Sequence, residues 1–307
     1  MPRNFRFSLL HLTRIPIMKN PLLFAVFFAV GVVAPVQAQF TDTFSATVAD
    51  RWGTPANTPL GPPDIGASSL SLLQDNGNSR VDWSATLGGA SNSANRFLPL
   101  ESHVGSFGTD WTVALDVVNT FSPASGQSTQ IGLFAANTDG SSSSLTADYI
   151  KLVLVQANTG TPLAGSNVIH YGNHSNANSN PFDYSTNVGS VENLKLSYSA
   201  AGKTIAVYNG TDLIKTFGID GVSGDTAYDW GMSSGSTFTV GIYAQSTTTA
   251  SGTGFTIPAG VAYADTFTAT GLTAIPEPGT YAALAGLAAL GLAAWRRQRR
   301  GFGRPVA

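Results

Sequence analysis

Apolar and polar residues alternate with a period of two through most of residues 40–270, and turn-forming residues separate the alternating runs. In residues 110–119, Trp111, Val113, Leu115 and Val117 fall on one face, and Asp110, Thr112 and Asp116 on the other. Residues 192–199 repeat the arrangement, with Leu194, Leu196 and Tyr198 set against Asn193, Lys195 and Ser197. Phe238, Val240, Ile242 and Ala244 form a third such face. Successive strand side chains point to opposite faces, so each run predicts a half-buried strand. Residues 149–155 are apolar on both faces, as in a central strand covered on each side.

The turns are legible too. Ala200-Ala201-Gly202-Lys203 links the strand ending at Tyr198 to residues 204–207, and Asn209-Gly210 links that run to residues 213–217. Asn-Gly between apolar runs is a strong hairpin signal, because both central positions of the tight turn need positive φ. No stretch before residue 275 has a helical period, so the body is predicted to be an all-β, two-sheet antiparallel sandwich. Residues 42–47 (Asp-Thr-Phe-Ser-Ala-Thr) and 265–270 (Asp-Thr-Phe-Thr-Ala-Thr) echo each other. Two matching strands at the ends of the body suit a sandwich whose first and last strands are neighbours.

Several pieces of this body resemble concanavalin A-like (laminin G-like) jelly rolls: Asp42-Thr43-Phe44, Trp52, the run from Trp111 to Val117, Val240-Gly241-Ile242-Tyr243, and Ala264-Asp265-Thr266-Phe267. The resemblance implies a jelly-roll sandwich over residues 39–274. An immunoglobulin-like sandwich is the alternative, but one such domain needs only about 100 residues.

Both extremities break the alternation. Residues 22–33 are an apolar run preceded by Lys19 and followed by Pro35 and Val36-Gln37-Ala38. This is the layout of a secretory signal peptide over residues 1–38, implying the Sec export machinery and signal peptidase, with cleavage between Ala38 and Gln39. Met18 is an alternative start. At the other end, Pro276-Glu277-Pro278 precedes sixteen residues without charge (280–295) and then Arg296, Arg297, Arg299 and Arg300. A helix over residues 280–295 would be about 24 Å long. It falls short of a ~30 Å hydrocarbon core, so spanning it would require snorkelling arginines and a thinned bilayer. On that reading the arginines hold the C-terminal end in the cytoplasm. The order of these three parts resembles the PEP-CTERM sorting signal of exported bacterial proteins, over residues 275–307. That resemblance implies recognition by an exosortase, a membrane transpeptidase expected to cut near Pro-Glu-Pro, and a Gram-negative source that makes exopolysaccharide and biofilm. A plain single-span anchor is the alternative.

Composition narrows the function. Residues 39–295 hold seven basic and all eighteen acidic side chains, an excess of eleven negative charges. Nucleic acid is therefore not an expected partner. With no cysteine, disulfides and thiol chemistry are excluded.

Candidate chemistry is sparse. Glycoside hydrolysis needs two carboxylates flanking the scissile bond. Glu101 and Glu192 are the only glutamates between residue 39 and Glu277, and neither has a carboxylate two or four residues away. Gly231-Met232-Ser233-Ser234-Gly235 fits a nucleophile pattern, but it is followed by a strand and has no later histidine, so it reads as a loop. His170 and His174 are read as part of a polar loop. Asp75-Asn76-Gly77-Asn78, Asp139-Gly140 and Asp220-Gly221 read as tight turns that could also offer oxygen ligands to calcium. No other cofactor is implied. Tyr149, Trp230, Tyr243 and Gln245 are candidates for stacking and hydrogen-bonding sugars, because they lie off the main apolar faces or in loops. The expected function is a non-enzymatic, exported surface or matrix protein with a structural or carbohydrate-binding role, exopolysaccharide being the expected partner. A polysaccharide hydrolase or lyase with an unusual site is the alternative.

Overall fold

A computed structural model describes residues 39–47, 51–55, 64–137, 148–159, 168–175, 178–179, 183–185, 188–224, 226–275 and 278–301. The predicted signal peptide, Ala38, Pro276, Glu277 and the Asp139-Gly140 pair lie outside these residues. In chain order the strands are β1 (Phe40–Asp42), β2 (Ala67–Asp75), β3 (Arg80–Leu87), β4 (Ser93–Pro99), β5 (His103–Ser106) and β6 (Trp111–Asn119). Next come β7 (Gln127–Asn137), β8 (Tyr149–Ala157), β9 (Val168–Ser175), β10 (Asn178–Ser179), β11 (Asp183–Ser185) and β12 (Val191–Ser199). The last are β13 (Thr204–Asn209), β14 (Asp212–Gly218), β15 (Thr226–Ala227), β16 (Thr237–Thr248), β17 (Phe255–Thr270) and β18 (Thr273–Ala274), followed by helix α1 (Pro278–Gly301).

Two nine-stranded sheets result, antiparallel except where β15 pairs with β14. Sheet 1 has the order β15-β14-β13-β12-β6-β17-β3-β2, with β1 on β17. Sheet 2 has the order β10-β9-β8-β7-β16-β5-β18, with β11 on β9 and β4 on β16. The odd positions of β6 and Leu194, Leu196 and Tyr198 of β12 are buried against Phe238, Val240 and Ile242 of β16 in one inter-sheet core. The Trp83 indole of β3 donates to Ser246 Oγ of β16 at 2.9 Å, a polar link through that core. The long β17 shifts register twice, at 257/262 against β3 and at 264/267 against β6. Such bulges increase local twist and let one strand serve two pairings.

Strands β1 and β17 are neighbours, with Asp42 opposite Phe267, but of the echoing residues 42–47 only Asp42 lies in a strand. Asp42 accepts from Trp52 Nε1 and the Phe44 N–H, both at 2.8 Å, and pairs with Arg51 at 3.1 Å. Near that strand, the Phe40 ring lies 4.8 Å from the His103 ring, and His103 is the register partner of Ala274. Both ends of the sandwich therefore emerge side by side.

Two expectations are corrected. His170 and His174 belong to strand β9, opposite Val153 and Tyr149, and not to a loop; pairing with β8 supplies the order that their polar surroundings in sequence did not signal. The C-terminal apolar segment is helical, but no helix among the described residues is long and apolar enough to cross a membrane, so the expected transmembrane span over 280–295 is not found. Its charge-free part is short and rich in Ala and Gly, and α1 runs on through Arg296, Arg297, Arg299 and Arg300. Pro278 is the first residue of α1, where its missing N–H costs nothing.

Candidate functional site

The face of sheet 2 turned away from the inter-sheet core is built from alternate residues of four adjacent strands. Register places Phe97 of β4 opposite Tyr243 of β16, and Tyr243 opposite Gly132 of β7. Asn95, Gln245, Gln130 and Val155 make a parallel row, and Gly241, Phe134 and Lys151 another. Because β7 and β8 carry apolar side chains on both faces, a second apolar cluster forms here from Phe97, Phe134, Ala136, Val153, Val155, Ala157 and Tyr243, with Tyr149 packed against it.

The aromatic rings interlock. Phe97 meets Phe134 edge-on at 5.2 Å, Tyr243 at 4.7 Å and Tyr149 at 6.3 Å. A polar chain runs beside them: Lys151 Nζ donates to Gln130 Oε1 at 3.4 Å, and Gln130 Nε2 donates to Gln245 Oε1 at 2.7 Å. That Gln245 oxygen also accepts from the Tyr243 hydroxyl at 2.7 Å. The Lys151 ammonium position lies 4.9 Å from the Tyr243 ring centre. Lys151 is only 4 % exposed and Tyr243 only 3 %. Burial pushes the Lys151 amine down to about 7, and it pushes the Tyr149 and Tyr243 phenols above their ordinary range, the charge of Tyr149 adding to the shift of Tyr243. The arrangement offers amides, a phenol and an amine able to exist uncharged. The described residues of β4, β7, β8 and β16 that make this face include no carboxylate.

Three of the four residues singled out from sequence for sugar contact, Tyr149, Tyr243 and Gln245, thus come together. Trp230 does not join them. It is 2 % exposed, packs 6.2 Å from Phe238 in the inter-sheet core, and its carbonyl accepts from Asn137 Nδ2 at 3.0 Å. A lone aromatic in a loop sequence carries no face information, so sequence could not place it. Lys151, Gln130, Phe97 and Phe134 were missed. The available signal was a single lysine inside a run apolar on both faces.

The remaining candidates have local structural roles. Asp75 Oδ1 accepts from the Gly77 N–H at 3.1 Å and its Oδ2 from Asn78 Nδ2 at 2.6 Å, and the Asn78 side chain chiefly holds this carboxyl below its ordinary value. Asp220 accepts from the N–H groups of Ser223 at 2.8 Å and Val222 at 3.0 Å, with the Ser223 amide the main cause of its lowered pKa. Glu192 accepts from the Gly189 N–H and Asn209 Nδ2. The Gly231–Gly235 stretch is a loop in which Ser236 Oγ accepts from the Ser233 N–H at 2.9 Å. Among the described residues no cluster of three or more His, Asp or Glu side chains could hold a metal ion. Gln39 is exposed and immediately precedes β1.

The chain is thus a two-sheet β-sandwich carrying an arginine-ended helix at its C-terminal side. Residues 274–300 match the PEP-CTERM protein-sorting motif. The motif implies an exported protein, processing by an exosortase and a membrane-anchored intermediate. No curated protein matches the sequence. Among solved structures, the carbohydrate recognition domain of Emp46p in its potassium-bound form is 11 % identical, with 75 % of this chain and 94 % of that one covered at a TM-score of 0.41. A pseudo beta-1,3-glucanase and immunostimulatory antigen of Mycobacterium tuberculosis is 14 % identical, covering 76 % and 98 % with a TM-score of 0.45. A Bacillus licheniformis beta-glucanase is 12 % identical, covering 76 % and 99 % with a TM-score of 0.42.

Proposed function

We propose that the chain is a non-enzymatic structural component of the cell surface or extracellular matrix. It is exported through the Sec route, trimmed between Ala38 and Gln39, and released from its membrane-anchored stage by an exosortase acting at Pro276-Glu277-Pro278.

The observation that carries the non-enzymatic reading is the state of the outer face of sheet 2. A glycosidase groove must admit substrate and set two carboxylates about 5 to 10 Å apart. Here the face is sealed and its described residues hold amides, aromatics and one lysine instead. The excess negative charge keeps such a domain soluble within an extracellular polysaccharide layer without pairing it to anionic surfaces.

A carbohydrate-binding role is the second reading, favoured by the convergence of Tyr149, Tyr243 and Gln245. It requires the sealed face to open. Both readings are tested by presenting the exported protein to a glycan array with and without calcium, and by assaying reducing-sugar release from soluble polysaccharides. The structural role predicts neither binding nor release. Binding lost in Tyr243→Ala would establish the second reading, and sugar release at catalytic turnover would overturn both.

A further inference from the structure

No disulfide can brace this exported chain, since it has no cysteine. Sheet 2 contains the elements of another kind of covalent brace. Lys151 of β8 and Gln130 of β7 sit on adjacent strands, four residues out of register, and their side chains run toward each other along the sealed face until Nζ is 3.4 Å from Oε1. The Gln130 amide is held in orientation, because its Nε2 donates to the same Gln245 oxygen that accepts from the Tyr243 hydroxyl. Lys151 and Gln130 are themselves buried beside the cluster of Phe97, Phe134 and Tyr243, so little of water, the competing nucleophile, reaches the pair.

We propose that Lys151 and Gln130 form an intramolecular isopeptide bond that staples β8 to β7. Attack needs an uncharged amine, and burial supplies a substantial uncharged fraction at neutral pH. The Nζ lone pair adds to Gln130 Cδ, giving a tetrahedral adduct with positive Nζ and negative Oε1. A proton moves from Nζ to Nε2 within the adduct, beside the Gln245 oxygen that accepts from both Nε2 and the Tyr243 hydroxyl. Oε1 then re-forms the carbonyl as the Cδ–Nε2 bond breaks and ammonia departs. One N–C bond forms, one N–C bond breaks, one molecule of ammonia is lost, and no oxidant or other reactant is needed. The product is a neutral secondary amide, so the cost of keeping an ionisable amine out of water disappears. The cross-link also restricts the unfolded chain, as a disulfide would.

The test is the intact mass of the exported protein, read together with that of Lys151→Met. The wild type is expected to weigh one ammonia less per chain than its sequence requires. Cyclisation of an N-terminal Gln39 would also release ammonia, so the deficit must shrink by one ammonia in Lys151→Met, and tandem mass spectrometry must find a branched peptide joining Lys151 to Gln130. A full-weight chain cleaved by trypsin after Lys151 would overturn the proposal. So would a deficit that Lys151→Met leaves unchanged from the wild type, or a branch that joins Lys151 to Gln245.

Discussion

Trp83 illustrates how single side chains tie the two sheets together. Its ring is wholly buried and its indole N–H ends on Ser246 Oγ, which also shares a hydrogen bond with Thr129 Oγ1. Trp83→Phe keeps an aromatic ring but loses the donor and leaves a cavity where the larger indole sat. The loss should be roughly 1–3 kcal/mol, combining a net hydrogen bond with a partial cavity term. A urea midpoint that does not move would show that this contact contributes nothing. The same scale limits what sequence can reveal. The pattern of residues 149–155 predicts a strand covered on both faces, but it does not single out Lys151. Which residues would meet Lys151 depended on the registers of β7, β8 and β16, which no local pattern encodes.

At the scale of elements, the legible parts were those with strong local signals. β6, β12 and β16 show their period of two directly, and the β12–β13–β14 hairpins form where the turn residues stand, although Asn209 ends β13 opposite Asp212 and the tight turn is Gly210-Thr211, with Gly210 at a φ of 57° and Lys203 at 50° in the preceding turn. β9 was not legible, because Gly172-Asn173-His174-Ser175 has no apolar alternation and acquires its strand form by pairing with β8 and β10. Gly271, between β17 and β18, is a position where the backbone itself sets the residue type. Its φ is 74°, and an added Cβ would lie 2.2 Å from the Asp110 carbonyl oxygen. Gly271→Ala should therefore cost more than ~1 kcal/mol. In a domain of this size that lowers the thermal midpoint by at least about 2–4 °C. An unchanged midpoint would mean that the β17–β18 connection shifts freely, and that the C-terminal exit beside His103 is not fixed by the fold.

For the whole molecule, the account rests on the relation between the sandwich and its two ends. β1 begins one residue after the expected signal cleavage point, and β18 ends at Ala274, two residues before Pro276, with the Ile275 N–H donating to the Ser102 carbonyl at 2.8 Å. The folded body therefore leaves almost no slack before the sorting motif. Export, trimming at both extremities and release of a β-sandwich are the central claim. The most direct measurement is to express the full chain in a Gram-negative host carrying an exosortase, and to determine by fractionation and terminal mass analysis where the protein resides and what its ends are. The account predicts a sandwich outside the cytoplasm that starts at Gln39 and lacks the arginine-ended helix. Recovery of the intact chain from the cytosol, with residues 1–38 and α1 still attached, would contradict it.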